Sequence, residues 1–370
     1  MTTRRKFLKN SALVSAGLFW GLGCERLPEK GNDTHIQIDK RLLMQGVCII
    51  DTVRRDDMKI TFRNPYKNKG VLKLKGSMHN HTDNSAPYDG FGSGCPRDTA
   101  IKFRDEGGFD FFTFTDHNYV TFDPRVPGIV WMGNAVEDTK DGQFGQHLVV
   151  YNLPTGYRFR NRSRNIHELL DYYHSLGAIV SLAHPCRPTL FQSDERILSI
   201  EHIDFVEVVN SAQRHERAFD LLLSNKVNVF GLGVDDYHYN SNWEYPNKMF
   251  NKVHIIAFAE RKDRESIWQA LLSGNFYAAT LDASIDINCA DGVINVSSSI
   301  PSTFEFIGLN TENPRSGLVL KSFTNVKEAS YTILGSEGYV RVRMTNPAGR
   351  AFSQPFVILS ATEVGRSGEK

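Results

Sequence analysis

The sequence predicts an α/β protein in which strand–helix units close into a barrel, followed by a small all-β, sandwich-like domain. Three observations carry this. Between residues 71 and 280, short apolar runs alternate with helix-like stretches, the pattern of parallel βα units. Polar, chemistry-bearing residues fall just past the ends of several runs: His79 and His81, Asp116 and His117, His184, Asn210, and Asp236 with His238. Side chains contributed from the ends of many strands suit a barrel better than an open sheet, which offers one crevice. Beyond residue 280 helical stretches nearly vanish and short alternating segments take over.

The 370 residues suffice for two domains, and an apolar fraction of 41% supports a real core. The chain opens with Thr3-Arg4-Arg5-Lys6-Phe7-Leu8-Lys9 and an apolar run from Ala12 to Leu22. A basic region before a short hydrophobic one reads as an export signal. This one resembles the twin-arginine type, so residues 1–23 are expected to be a signal peptide. Gly21-Leu22-Gly23-Cys24 is similar to a lipoprotein cleavage box with a poor first residue, so lipid on Cys24 is one expectation and a plain signal the other. Residues 24–40, with Pro28, Gly31 and Asn32, read as a tether. The expected location is the periplasm or cell envelope, with membrane contact only through Cys24.

The main domain is expected over 41–280. Leu42–Ile50 and Lys59–Arg63 are candidate paired strands, and Val71–Lys75 a strand ending near two histidines. Pro96–Glu106 reads as a helix with Pro where a missing N–H is harmless and Gly107-Gly108 as its stop. Phe109–Thr115 is apolar enough to be buried on both faces. Ile129–Met132 and Leu148–Tyr151 are weaker strands. A helix capped by Ser163 leads to Gly177, then come a strand at Ala178–Leu182 and a short helix at Glu195–Ile200. Strands at Phe205–Val209, Val227–Leu232 and Val253–Ala259 alternate with helices at Gln213–Ser224 and Asp263–Leu272. Residues 281–370 form the expected β domain, which contains no histidine.

Lys plus Arg total 43 against 42 Asp plus Glu, so no basic field favours a nucleic-acid duplex or an anionic membrane. The five cysteines form no CxxC and no dense framework. The histidines and acids are more informative. His79 and His81, at i and i+2, project to one side of an extended strand. Together with Asp89, His117, Glu137, His147, His184, Asp236 and His238 they make nine candidate metal ligands. Imidazole with carboxylate suits zinc, manganese or iron, and nine ligands suit two or three ions sharing a bridging carboxylate.

Met78-His79-Asn80-His81-Thr82, Thr115-Asp116-His117-Asn118, Ala183-His184-Pro185 and Asp235-Asp236-Tyr237-His238 resemble the four signature motifs of the PHP (polymerase and histidinol phosphatase) superfamily. Gly145-Gln146-His147-Leu148 resembles its next His-bearing strand, and Phe205–Asn210 its strand ending in Glu and Asn. The resemblance covers residues 71–280. It implies a distorted seven-stranded βα-barrel of PHP type and a trinuclear site. One ion would sit with His79, His81, Glu137 and Asp236, a second with Glu137, His147 and His184, and a third with Asp89, His117 and His238. Asp89 lies later than the family's loop acid, and Asp83 competes for that role.

The resemblance implies a metal-dependent phosphoesterase that hydrolyses a small phosphorylated substrate with a metal-activated hydroxide at a di- or trinuclear site. Asp116 and Arg187 are the candidate catalytic residues besides the ligands. Asp116 would orient a ligand, and Arg187, with Arg214 as a second candidate, would fork onto phosphate. Hydrolysis of an amide by the same activated water, and metal binding without catalysis, remain alternatives.

Overall fold

The computed structural model describes residues 50–363, except 56, 86–93, 140–146, 160–164, 188–192, 201, 212 and 239–249. All described residues lie in one compact unit, His35–Lys370. The expected signal, tether and Cys24 lie outside them, as does the expected strand at 42–49. Among the described residues no helix is long and apolar enough to cross a membrane.

The chain enters through an antiparallel pair, β1 (Ile50–Arg55) and β2 (Met58–Arg63). It continues through β3 (Leu72–Ser77), α1 (Pro96–Asp105), β4 (Phe111–Phe112), β5 (Val130–Trp131), β6 (Val136–Asp138) and β7 (Leu148–Tyr151). Next come α2 (Ile166–Ser175), β8 (Ile179–Leu182), α3 (Asp194–Ser199), β9 (Phe205–Asn210), β10 (Gln213–Arg214), α4 (Glu216–Ser224) and β11 (Phe230–Val234). Then β12 (Val253–Ala259), α5 (Arg264–Ser273) and β13 (Phe276–Thr280) complete this part. The remainder is all strand: β14 (Asp286–Ala290), β15 (Val293–Gly308), β16 (Leu318–Thr332), β17 (Tyr339–Asn346), β18 (Gly349–Ser353) and β19 (Phe356–Glu363).

Local chemistry explains the helix ends. Pro96 opens α1, and Gly108, at φ +61, lies just beyond its end. Asn165, rather than the expected Ser163, caps α2 by accepting the Glu168 N–H, and Gly177 follows the helix at φ +71. Asp263 caps α5 through the Ser266 N–H, and Gly274 ends it at φ +77. Gly76 is required by packing. A Cβ there would lie 2.0 Å from the Phe111 ring, which covers β3 where β4 pairs with it.

The mixed α/β character is present, but among the described residues hydrogen bonds do not close a barrel. They form two open sheets. One contains β3, β4 and β5 in parallel, with β12 antiparallel beside β3. The other runs β10-β9-β8-β7-β6, with β11 parallel to β9. The expected run of parallel units fails at β6, β7 and β8, whose two pairings are both antiparallel. It also weakens at β4 and β5, whose ladders contain only two residue pairs. Two isolated parallel bridges, Asn80 with Tyr237 and His117 with Glu137, join the sheets. Between the sheets Leu74, Phe111, Val149, Ile179, Phe205, Leu232 and Ile255 share one core.

The C-terminal strands are antiparallel, but they are not a separately paired sandwich. β13 pairs with β18, and β19 pairs with β2, so they continue the sheet that contains β12 and β3. Helix α4 docks on them through buried charge. Arg341 spans the Asp220 carboxylate, 2.7 Å from each oxygen, and Arg343 reaches Glu216 at 2.8 Å.

Candidate metal centre

The site forms where β3, β4, β6, β8 and β11 run out. β3 delivers Met78-His79-Asn80-His81, and both histidines are fully buried. Backbone hydrogen bonds stitch the segments together: His81 N–H to Tyr237 O at 2.9 Å, Thr115 N–H to Asn80 O at 2.8 Å, and Glu137 N–H to Thr115 O at 3.1 Å. Residues far apart in the chain are thereby held in one polar cluster above the apolar core.

The tightest group is His79, His81, Glu137 and Asp236. His79 Nδ1 lies 2.6 Å from Glu207 Oε1, a carboxylate that can only accept, so this nitrogen carries a proton. Ser85 Oγ donates to Asp116 Oδ1 and therefore accepts from His81 Nδ1 at 2.9 Å. Both Nε2 atoms are left to face the cluster. They lie 3.1 Å from each other, 3.1 and 3.2 Å from Glu137 Oε2, and 3.2 Å each from Asp236 Oδ1. Four lone-pair atoms this close repel unless a cation or a proton lies among them.

These distances are five of the six edges of a tetrahedron. A regular tetrahedron with such edges has its centre about 1.9–2.0 Å from each vertex, close to the roughly 2.0–2.2 Å of Zn–N and Zn–O bonds. The donor set therefore fits a divalent metal in chemistry and in size.

The second carboxylate oxygen of Glu137 faces other ligands. Glu137 Oε1 lies 2.6 Å from His147 Nδ1 and 3.1 Å from His184 Nε2, while Oε2 is also 3.0 Å from His117 Nδ1. His117, Glu137 and His147 form one further group able to hold an ion, and His81, His117 and His238 another. Glu137 thus has the placement of a bridging carboxylate. His79, His81, Glu137 and Asp236 fall together as the resemblance implied, and Glu137 Oε1 meets His147 and His184 as well; beyond that, His117 lies with Glu137 and His147, and His81 with His117 and His238. Asp89 lies outside the described residues. Asp83 points away; it is exposed, and its carboxylate accepts the Gly94 N–H at 2.7 Å.

The electrostatics agree with a site that needs positive charge. Burial opposes charge on His79, but Asp236, Glu137 and Glu207 overcome it and hold the imidazole pKa well above its usual value. Neighbouring His81 is pushed down by burial and by His238 and His117. Burial raises Glu137, yet His117, His79 and His147 more than reverse this and hold it well below the carboxylate range. Asp236 is likewise lowered, with burial outweighed by His79, His81 and His238. A metal among these groups replaces protons that otherwise balance the two carboxylates.

The residues around the ligands fix their aim. Asp116 is buried and accepts from Thr82 N–H, Ser85 Oγ and the Thr82 and Thr121 hydroxyls. With both oxygens engaged it holds the turn after His81. Glu207 was not among the sequence's candidates. Its Oε1 receives His79, and its Oε2 receives His184 N–H and Asn210 Nδ2, each at 2.7 Å. Its signal was present: a lone acid inside the apolar run Phe205–Val209. Two ligands are held in left-handed backbone, His184 at φ +28 and Asp236 at φ +52, a cost concentrated at functional sites.

The His147 and His238 side chains are partly exposed, 17% and 27%, so the cluster opens to solvent on that side. Arg187 stands at this opening, 3.9 Å from Asp236 Oδ2 with its side chain 41% exposed. Arg214 does not join it; its guanidinium lies 3.8 Å from Glu216.

No family model and no curated protein matches the chain. Among solved structures, the chain is similar to a two-domain protein from Bacteroides vulgatus ATCC 8482 containing a predicted PHP-like metal-dependent phosphoesterase, with 15% identity and a TM-score of 0.45, covering 83% of this chain and 99% of that one.

Proposed function

We propose that the protein is a metal-dependent hydrolase of the PHP type, acting on a phosphate ester. The observation that carries this reading is the convergence of His79, His81, Glu137 and Asp236 at tetrahedral spacing, with Glu137 also facing His117, His147 and His184. Two or three divalent ions of zinc, manganese or iron are the proposed cofactors. When bound, such ions lower the pKa of water and neutralise charge that develops on a phosphoryl group.

The chain's own residues hold and aim these groups. His79, His81 and Asp236 would bind one ion with Glu137. Glu137, with His117, His147 and His184, would bind a second, and His238 stands beside His81 and His117 for a third. Glu207 and Asp116 orient the imidazoles. Arg187, 3.9 Å from Asp236 and partly exposed, would bind the phosphate of the substrate. The motif resemblance over residues 71–280 and the two bridges between the sheets support reading these strands as a distorted PHP-type barrel. On this reading residues 41–280 are the catalytic domain and 281–370 the β domain.

Export by the twin-arginine route, with cleavage before Cys24 or lipid upon it, places the enzyme in the cell envelope. A small phosphorylated compound is the proposed partner. Elemental analysis of the purified chain beside hydrolysis of an aryl phosphate tests the proposal. Bound metal with turnover that a chelator abolishes supports it. Bound metal with no turnover on any phosphate ester moves amide hydrolysis or non-catalytic metal binding ahead.

A further inference from the structure

The turn His184-Pro185-Cys186-Arg187 carries both a candidate ligand and the proposed phosphate contact. It begins in left-handed backbone at His184 and closes with Arg187 N–H on His184 O at 3.0 Å. A strained turn keeps one shape only where its surroundings fix it. One restraint is Glu207, which accepts the His184 N–H. Another comes from a residue with no place in the cluster. The Cys186 N–H donates to His215 Nδ1 at 3.2 Å.

His215 stands at the N-cap of α4, where Ser, Thr, Asp or Asn usually caps the helix with its own side chain. Here the side chain makes no cap bond and is committed to Cys186 instead. It is fully buried, and burial lowers its pKa to about 4, so the ring stays neutral with Nδ1 as an acceptor. It is close enough to Glu207, His184, Arg187 and Asp236 for their charges to bear on it.

The rest of α4 is anchored on the other side. Asp220 receives Arg341 Nε and Nη2 at 2.7 Å each, Tyr339 Oη at 2.9 Å and Gly317 N–H at 3.1 Å. Glu216 receives Arg343 at 2.8 Å. Arg217 joins Asp194, which also receives Arg315 from the segment between β15 and β16.

We infer that α4 is a strut by which the C-terminal strands hold the metal-site turn, with His215 as the positioning residue at its tip. The inference rests on the metal-centre reading. It assigns the β region a part in setting the geometry of His184 and Arg187.

Asparagine and glutamine separate this role from mere packing. The Asn side-chain oxygen can stand where Nδ1 stands, whereas Gln places it where Nε2 stands. His215→Asn is expected to stay within a few-fold of wild type. His215→Gln is expected to lose roughly 10- to 100-fold in kcat/KM on an aryl phosphate, with KM raised as Arg187 shifts. Variants that behave alike, both active or both impaired, overturn the inference. Should neither variant fold, amide hydrogen exchange at Cys186 in the wild-type chain decides: slow exchange supports the bond to His215, and exchange at the rate of an open loop overturns it. That readout depends on neither metal nor turnover. A wild-type chain with a protected Cys186 amide but no metal and no turnover would defeat the proposed function and leave the strut standing.

Discussion

Two buried clusters of charge invite comparison. In the α4–β17 cluster every carboxylate meets a fixed cation of the chain: Asp220 with Arg341, Glu216 with Arg341 and Arg343, and Glu305 with Arg343. In the other, Glu137 and Asp236 meet imidazole nitrogens, and Arg187 stands 3.9 Å from Asp236. The first cluster pairs each carboxylate with a guanidinium and joins a helix to a sheet. The second gathers acceptors and lone pairs whose balance comes from exchangeable cations. Burial is similar in both, so burial alone does not mark a functional site. The chemistry of the facing atoms does.

The largest expected effect is at Glu137. Glu137→Gln should lower turnover by about 10³-fold or more, several kcal/mol of lost stabilisation, and metal content should fall. The metal-free variant should also unfold at lower temperature near neutral pH, because the ionised carboxylate that His117, His79 and His147 stabilise is gone. Retained metal and turnover would erase the contrast between the clusters.

Arg341→Met tests the first cluster. Leaving Asp220 buried without its partner should cost roughly 3–5 kcal/mol in denaturant unfolding. Adding Asp220→Asn should recover part of that loss, since the pair was stabilising chiefly through its mutual neutralisation. A double variant as destabilised as the sum of the single ones would contradict this account.

His254 sharpens the contrast from a third side. It is buried on β12, and burial with the charge of Lys75 depresses its pKa to about 3. A folded pKa below the unfolded value of about 6.5 gives stability that is complete above pH 6.5 and is lost as pH falls towards 3. The expected size is on the order of 5 kcal/mol at the acid end. His254→Asn should flatten that pH dependence in unfolding experiments. An unchanged acid limb would mean that other groups govern it.

The smallest expected effect is at Glu207. Glu207→Gln retains the shape but weakens the hold on His79 and His184, and metal affinity should drop about 10- to 100-fold. Affinity equal to wild type would remove Glu207 from the account.

Much of the site was legible in the sequence because strand periodicity is local. His79 and His81 share a side two residues apart, and Asp116-His117, His184 and Asp236 each follow an apolar run. The group of His79, His81, Glu137 and Asp236 was legible through the motif resemblance, whereas the place of His117 beside Glu137 and His147 was not, because it depends on how separate segments meet. Glu207 looked like a strand residue until its carboxylate was placed between His79 and His184. The sheets were the harder part. β12 and α5 followed their apolar pattern closely, whereas β6 and β13 were not anticipated, and β16 is largely exposed, with little alternation to mark it. The antiparallel pairing of β6, β7 and β8 depends on contacts that no local run encodes.

The central claim is that the buried cluster is a metal centre. Calorimetric titration of zinc or manganese into the metal-stripped full chain, in buffers of different ionisation enthalpy, tests it most directly. The account predicts two or three ions per chain, with protons released as metal displaces them from His79. Folded protein that binds no ion and releases no proton would contradict it.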